Sequence, residues 1–235
     1  MFKRIATLAL ATLFSGALLA NEGEVQRSME KTFPQIKVKQ VAKAGYLNLY
    51  EVLTQDGQLL YTDEKVSVVI DGQLIDTKTK TSVTAERMRK LNAIKFSDLP
   101  LDNAIKQVRG NGKRVLATFE DPNCGYCKKL AKDLQKLDNV TLYTFLLPIL
   151  SEDSLRKSRQ IWCAADRAKA WNDWMVDGKA PSGKEDCDTS AIARNQEFGG
   201  KNNITGTPTL FFADGERIPG AVPLANIEKK LGAAR

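Results

Sequence analysis

Residues 115–127 read Val115-Leu116-Ala117-Thr118-Phe119-Glu120-Asp121-Pro122-Asn123-Cys124-Gly125-Tyr126-Cys127, and the run Lys128-Lys129-Leu130-Ala131-Lys132-Asp133-Leu134 follows at once. The apolar start predicts a buried strand, and the residues from Cys124 to about 137 predict a helix that opens on two thiols separated by two residues. At the exposed start of a helix, unpaired backbone N–H groups and the positive end of the macrodipole favour an anion. Cys124 is therefore the expected thiolate nucleophile and Cys127 its partner, together forming a redox-active disulfide when oxidised. Lys128 and Lys129 favour the same anion, whereas Glu120 and Asp121 oppose it.

Outward from this stretch, elements alternate in type. Val140–Leu147 predicts a second strand halted by Pro148, and strand, helix, strand at this spacing implies a parallel pair with a right-handed crossover. Ser151–Ser154 supplies N-cap chemistry for a helix over 155–176, and Asp188–Phe198 predicts another ended by Gly199-Gly200. The chain closes with a strand at Thr209–Ala213, a turn at Asp214-Gly215, a short strand at Arg217–Pro219 and a helix from about Pro223 to Leu231. Upstream, Leu101–Val108 predicts a helix ending at Gly110-Asn111-Gly112, and Thr84 to residue 95 a connecting helix, with Met88, Leu91 and Ile94 on one face.

The first eighty residues read differently. Met1-Phe2-Lys3-Arg4 followed by an uncharged apolar run to Leu19 has the form of a cleavable secretory signal over residues 1–20, too short to span a bilayer. Its loss would lower the net charge of +7 by two, through Lys3 and Arg4. The remaining basic residues are interleaved with acids, which argues against a nucleic-acid role. Residues 21–33 predict a short amphipathic helix through Val25, Met29 and Phe33. Strands at Ile36–Val41, Tyr46–Val52, Leu59–Tyr61 and Val66–Ile70 follow, with Asp-Gly turns at Asp56-Gly57 and Asp71-Gly72, and then Leu74-Ile75. Such a small antiparallel sheet is marginal alone and is often completed by association.

A second chemical signal lies at Thr205-Gly206-Thr207-Pro208-Thr209, directly before the strand Leu210-Phe211-Phe212. Strand, Cys-x-x-Cys helix, strand, helical insert, then Thr-Pro before a hairpin is the order of a thioredoxin fold. There the proline is expected to be cis and to face the dithiol.

With its signal, small N-terminal sheet, linker helix, CGYC motif, Thr205–Pro208 and Ile161-Trp162-Cys163-Ala164, the chain resembles the DsbC family of bacterial periplasmic disulfide isomerases. Gly125 after the first cysteine separates it from the sister family that carries proline there. The resemblance implies an α+β protein. A signal at 1–20 would precede a cystatin-like dimerisation domain at 21–83, a linker helix at 84–99 and a thioredoxin-like catalytic domain at 100–235, whose helical insert covers about 150–200. It implies substrate contacts from Gly125, Tyr126, Thr207 and Pro208, a homodimer whose catalytic domains face one another across a cleft, misbridged or unfolded secreted proteins as substrates, and a DsbD-like membrane reductase as electron donor. With Cys124 and Cys127 paired locally, Cys163 and Cys187 remain to form a structural disulfide that staples the insert, the pairing the family also implies.

No metal or cofactor is expected. A zinc site would need all four cysteines, because the chain has no histidine and Cys163 and Cys187 stand far apart in sequence. A cysteine hydrolase lacks its base for the same reason. A client-specific thiol reductase and a non-catalytic chaperone are the alternatives. Where thioredoxins carry a buried acid six residues before the nucleophile, this chain has Thr118, so the leaving thiol must find its proton from solvent, Cys127 or another group.

Overall fold

Val25 and Met29, four apart, form the inner stripe of α1 (Ser15–Thr32), and both are fully buried. They close over an antiparallel sheet of β1 (Val38–Lys43), β2 (Tyr50–Thr54), β3 (Leu59–Thr62) and β4 (Val69–Ile70), in that order, whose core side chains include Val38, Val41, Tyr50, Val52 and Leu60. The computed structural model describes residues 15–233, so the expected signal lies outside the described residues except for the backbone of 15–20, which belongs to α1. The chain divides into two units between Glu86 and Arg87.

The strand expected from Tyr46 starts at Tyr50 instead. Leu47 and Asn48 adopt φ of 51° and 55°, and the Leu49 N–H returns to the Tyr46 carbonyl at 2.9 Å, so Tyr46–Leu49 is the tight turn between β1 and β2. Val66 is left-handed too (φ 54°), which shortens the expected 66–70 strand to β4. A separate ribbon of β5 (Ile75–Asp76) and β6 (Thr81–Ser82) leads into α2 (Val83–Leu91). That helix ends at Leu91 rather than at residue 95, because the Ile94 N–H has left the helical ladder for the Gly215 carbonyl at 3.3 Å.

In the second unit the helix expected over Leu101–Val108 is a 3₁₀ turn, Leu101–Asn103, followed by β7 (Ile105–Arg109). Apolar residues at 101, 104, 105 and 108 mimic helical spacing. Ile105 is buried and Val108 faces outward, and the segment is held as an antiparallel edge strand on β9 (Val140–Leu146). β8 (Arg114–Glu120) and β9 pair in parallel around α3 (Gly125–Leu134), as the strand–helix–strand pattern requires. β10 (Thr209–Phe212) and β11 (Arg217–Pro219) complete a sheet of order β11-β10-β8-β9-β7. Gly110 leaves β7 at φ 53°, where a Cβ would lie 2.9 Å from the Asn139 backbone nitrogen, so only glycine fits.

The insert departs from one expectation at each end. The single helix over 155–176 is two, α4 (Glu152–Trp162) and α5 (Arg167–Met175), because Asp166 accepts the Lys169 N–H at 2.9 Å and starts a new helix. α6 (Ser190–Lys201) runs through Gly199-Gly200, with Gly199 packed close to Leu147. α7 (Leu224–Ala233) covers the sheet beside α3, where Leu116, Leu130, Leu134, Ile227 and Leu231 share one cluster. Ala117 and Phe119 join Phe145 and Phe211 on the opposite side. Alternation along β8 thus puts Leu116, Thr118 and Glu120 on the α3 side of the sheet.

Candidate active site

Cys124 is the N-cap of α3: its backbone is extended, and its sulfur accepts the Cys127 N–H at 3.3 Å. Gly125 and Tyr126 follow on the exposed first turn, the tyrosine 70% exposed, while Cys127 turns inward and is fully buried. Both cysteines are free thiols. β10 pairs with β8 so that Thr209 lies opposite Phe119, which carries the preceding cis Thr207–Pro208 bond to the end of β8 where α3 begins. There the Cys124 thiol donates to the Thr207 carbonyl at 3.3 Å, joining segments 83 residues apart. The structure therefore brings Cys124, Cys127, Thr207 and Pro208 together, with Gly125 and Tyr126 on the outer rim.

The loop before Cys124 is anchored on every side. The buried Asp121 carboxylate accepts N–H groups of Asn123 (2.7 Å), Ile149 (2.8 Å) and Leu150 (3.0 Å). The Asn123 amide donates to Asp153 at 2.9 Å and accepts from Lys157 at 2.8 Å. Trp174 donates its indole N–H to the Pro122 carbonyl at 2.6 Å, with the Lys128 and Lys157 ammonium groups 3.7 and 4.4 Å from its ring centroid. Burial and then the neighbouring Lys157 and Lys132 charges lower the Lys128 pKa, and hydrogen bonds from Lys157, Asn123 and Arg156 hold Asp153 well below the usual carboxylate range.

On the α3 side of β8, paired in register with Leu146, which packs in one cluster with Cys124 and Cys127, stands a group whose role sequence reasoning missed. Glu120 is 1% exposed, its Oε1 accepts the Thr118 hydroxyl at 2.7 Å, and its Oε2 has no hydrogen-bond partner. Burial pushes its pKa up to about 7, against the opposing Thr118 hydrogen bond. Burial, and next the Glu120 charge, push the Cys127 thiol far up. The period-two alternation from Leu116 was the available signal, since it already places Glu120 under α3.

Cys163 and Cys187 form a disulfide away from this dithiol, with Cα atoms 5.5 Å apart. Cys163 is the half-buried C-cap of α4, and the Trp162 indole N–H adds a second link at 3.0 Å to the Asp188 carbonyl.

Residues 101–235 match the thioredoxin-like domain family, and residues 16–85 match the disulfide bond isomerase protein N-terminal domain. A probable thiol:disulfide interchange protein DsbC of Bordetella parapertussis is 49% identical over 208 residues, covering 88% of this chain and 73% of the relative. The chain belongs to the DsbC family of thiol:disulfide interchange proteins. The Escherichia coli K12 DsbC is 28% identical over 230 residues, 95% of this chain and 92% of that protein. A crystal structure of a disulfide interchange protein from Neisseria gonorrhoeae superposes with a TM-score of 0.55 at 43% identity, covering 58% of this chain and 98% of that one. As a DsbC-type protein the chain is an enzyme of thiol:disulfide exchange, in an α+β fold with an N-terminal antiparallel sheet and a C-terminal thioredoxin-like domain. No described helix is long and apolar enough to cross a membrane.

Proposed function

We propose that this chain is a periplasmic disulfide isomerase that reshuffles incorrect disulfides in secreted proteins, with Cys124 as nucleophile. The observation that carries the reading is the Cys124 sulfur, set at the start of α3 between the Cys127 N–H and the carbonyl of the residue before cis Pro208. As a thiolate, Cys124 attacks one sulfur of a client disulfide; a mixed disulfide forms and the other client sulfur leaves as a thiolate. A second client thiolate then displaces Cys124, which returns as thiolate while the client gains a new pairing. Alternatively Cys127 attacks Cys124, the client leaves reduced, and a Cys124–Cys127 disulfide remains.

The second exit leaves an oxidised enzyme, so two electrons must be supplied, and a DsbD-like membrane thiol reductase fits that need. Thr207 and Pro208 would align an extended client segment by backbone contacts, which do not depend on the client's side chains, while Gly125 and Tyr126 form its outer contact. The proposed homodimer is supported by the N-terminal sheet edge: β4 is an edge strand, and Val68 and Ile70 are exposed there. A signal over residues 1–20 and a disulfide-stapled insert suit the periplasm. A chaperone activity is favoured by exposed Tyr126, Ile149 and Leu150, the latter two on the loop that Asp121 holds beside the dithiol.

Refolding of a scrambled multi-disulfide protein tests the reading. Wild type should restore activity to the client, Cys124→Ala should not, and Cys127→Ala should accumulate the mixed disulfide or isomerise only in part. Equal rescue by all three would overturn it.

A further inference from the structure

Cys127 has to lose its proton before it can attack, yet it is fully buried and out of contact with solvent. Burial and the Glu120 charge, followed by the Cys124 hydrogen bond and charge, all hold that proton on, and the Asp121 backbone opposes them; no cation is among these groups. Among the described residues, Glu120 is the carboxyl acting on Cys127 that has an oxygen to spare. Thr118 occupies its Oε1, while Oε2 is buried without a partner, an arrangement that native structures rarely leave unexplained. The adjacent buried acid, Asp121, is committed to three backbone N–H groups and has no comparable freedom. Thr144 of β9 lies 3.5 Å from the Thr118 hydroxyl and does not titrate.

We propose that Glu120 is the proton acceptor for Cys127, and thereby decides whether a client bound to Cys124 leaves by isomerisation or by reduction. The inference rests on the Cys124 chemistry proposed above. The Cys127 S–H proton passes to the Glu120 carboxylate, giving a Cys127 thiolate and a neutral acid, directly or through one water. The thiolate attacks the Cys124 sulfur of the mixed disulfide. The Cys124–Cys127 bond forms, the bond to the client breaks, and the client sulfur departs with the electron pair and takes up a proton. Two electrons have moved from the enzyme dithiol to the client, and Glu120 returns its proton to solvent as the site opens.

With its carboxyl titrating at about 7, Glu120 makes this exit pH-gated. In acid the carboxyl is already protonated, Cys127 stays a thiol, and the mixed disulfide lives long enough for a second client thiol to reach it. In mild alkali Cys127 is activated and reduction wins. Thr118 is a positioning residue, holding Oε1 so that the other oxygen stays free.

The test is stopped-flow reaction of the reduced full-length enzyme with a self-quenched peptide pair joined by a disulfide. The first fluorescence step reports attack by Cys124; the second reports release by Cys127 and is absent in Cys127→Ala. Glu120→Gln should still complete the first step, no more slowly than wild type because a charge opposing the Cys124 thiolate is lost, yet slow the second by about tenfold or more and remove its inflection near neutral pH. Glu120→Asp should restore part of the rate, and Thr118→Val should move the inflection to higher pH. A second step of wild-type rate and pH profile in Glu120→Gln, after a normal first step, would overturn the role of Glu120 alone. Failure of the wild type to form any mixed disulfide at Cys124 would instead overturn the proposed nucleophile, and this inference with it.

Discussion

Glu120 and Asp121 are neighbours, equally buried, and used in opposite ways. Asp121 has three backbone N–H donors and works as a fastener for the loop at 149–150, whereas Glu120 has a single hydroxyl donor. The difference has a measurable thermodynamic signature. The Glu120 carboxyl titrates at about 7 in the folded chain against 4.5 for an unperturbed group, so between those values the folded state holds a proton that the unfolded state has released. Stability therefore declines as pH rises from 4.5 through 7, and above pH 7 the full penalty stands, on the order of 3 kcal/mol. Glu120→Gln carries no such penalty. Urea titrations should show the variant gaining on wild type as pH goes from 5 to 8, and a gap constant with pH would contradict the burial argument. The alternation along β8 already places Glu120 under α3, but the groups that each acid meets come from segments far away in sequence, so the split between fastener and free carboxyl is not readable from the acidic pair alone. Trp174 and its contact with Pro122 were hidden for the same reason, whereas Cys124, Cys127, Thr207 and Pro208 were visible as local motifs.

At the scale of elements, β8, α3 and β9 were legible because a buried parallel strand and a capped amphipathic helix each write their own periodicity into the chain. β7 was not. An edge strand has one neighbour and one buried face, so its short pattern around Ile105 and Val108 fits a helix equally well, and only the ladder to β9 decides. The break between α4 and α5 was signalled weakly, by a lone Asp166 that caps α5 through the Lys169 N–H. The disulfide from Cys163, at the end of α4, to Cys187 spans that break and the whole of α5, its ends 24 positions apart in sequence. Replacing both cysteines by alanine should lower unfolding stability by about 3 kcal/mol in the chain-entropy account. It should leave the rate of Cys124 attack on a peptide disulfide nearly unchanged, since the staple closes the insert and not the dithiol. A double variant of wild-type urea midpoint would show that α4, α5 and α6 hold together without it.

Across the whole molecule, the chain forms two compact units. The N-terminal unit has a modest core around Val25, Met29 and Val52 and leaves Leu47, Val68, Ile70 and Ile75 exposed, Val68 and Ile70 at the open β4 edge. Charges at its open edge should break the proposed homodimer. Val68→Asp with Ile70→Lys is expected to shift sedimentation equilibrium from dimer to monomer and to reduce isomerisation of a scrambled protein more than reduction of a small peptide disulfide. A monomeric wild type would remove the case for that edge as an interface. The chain's three tryptophans, 162, 171 and 174, all lie in α4 and α5 of the catalytic unit, one of them clasped to the loop before the dithiol, and none lies in the N-terminal sheet. Indole emission is consequently a built-in optical label for one half of the chain: it tracks the melting and redox state of the thiol-bearing half, while the other half unfolds unseen.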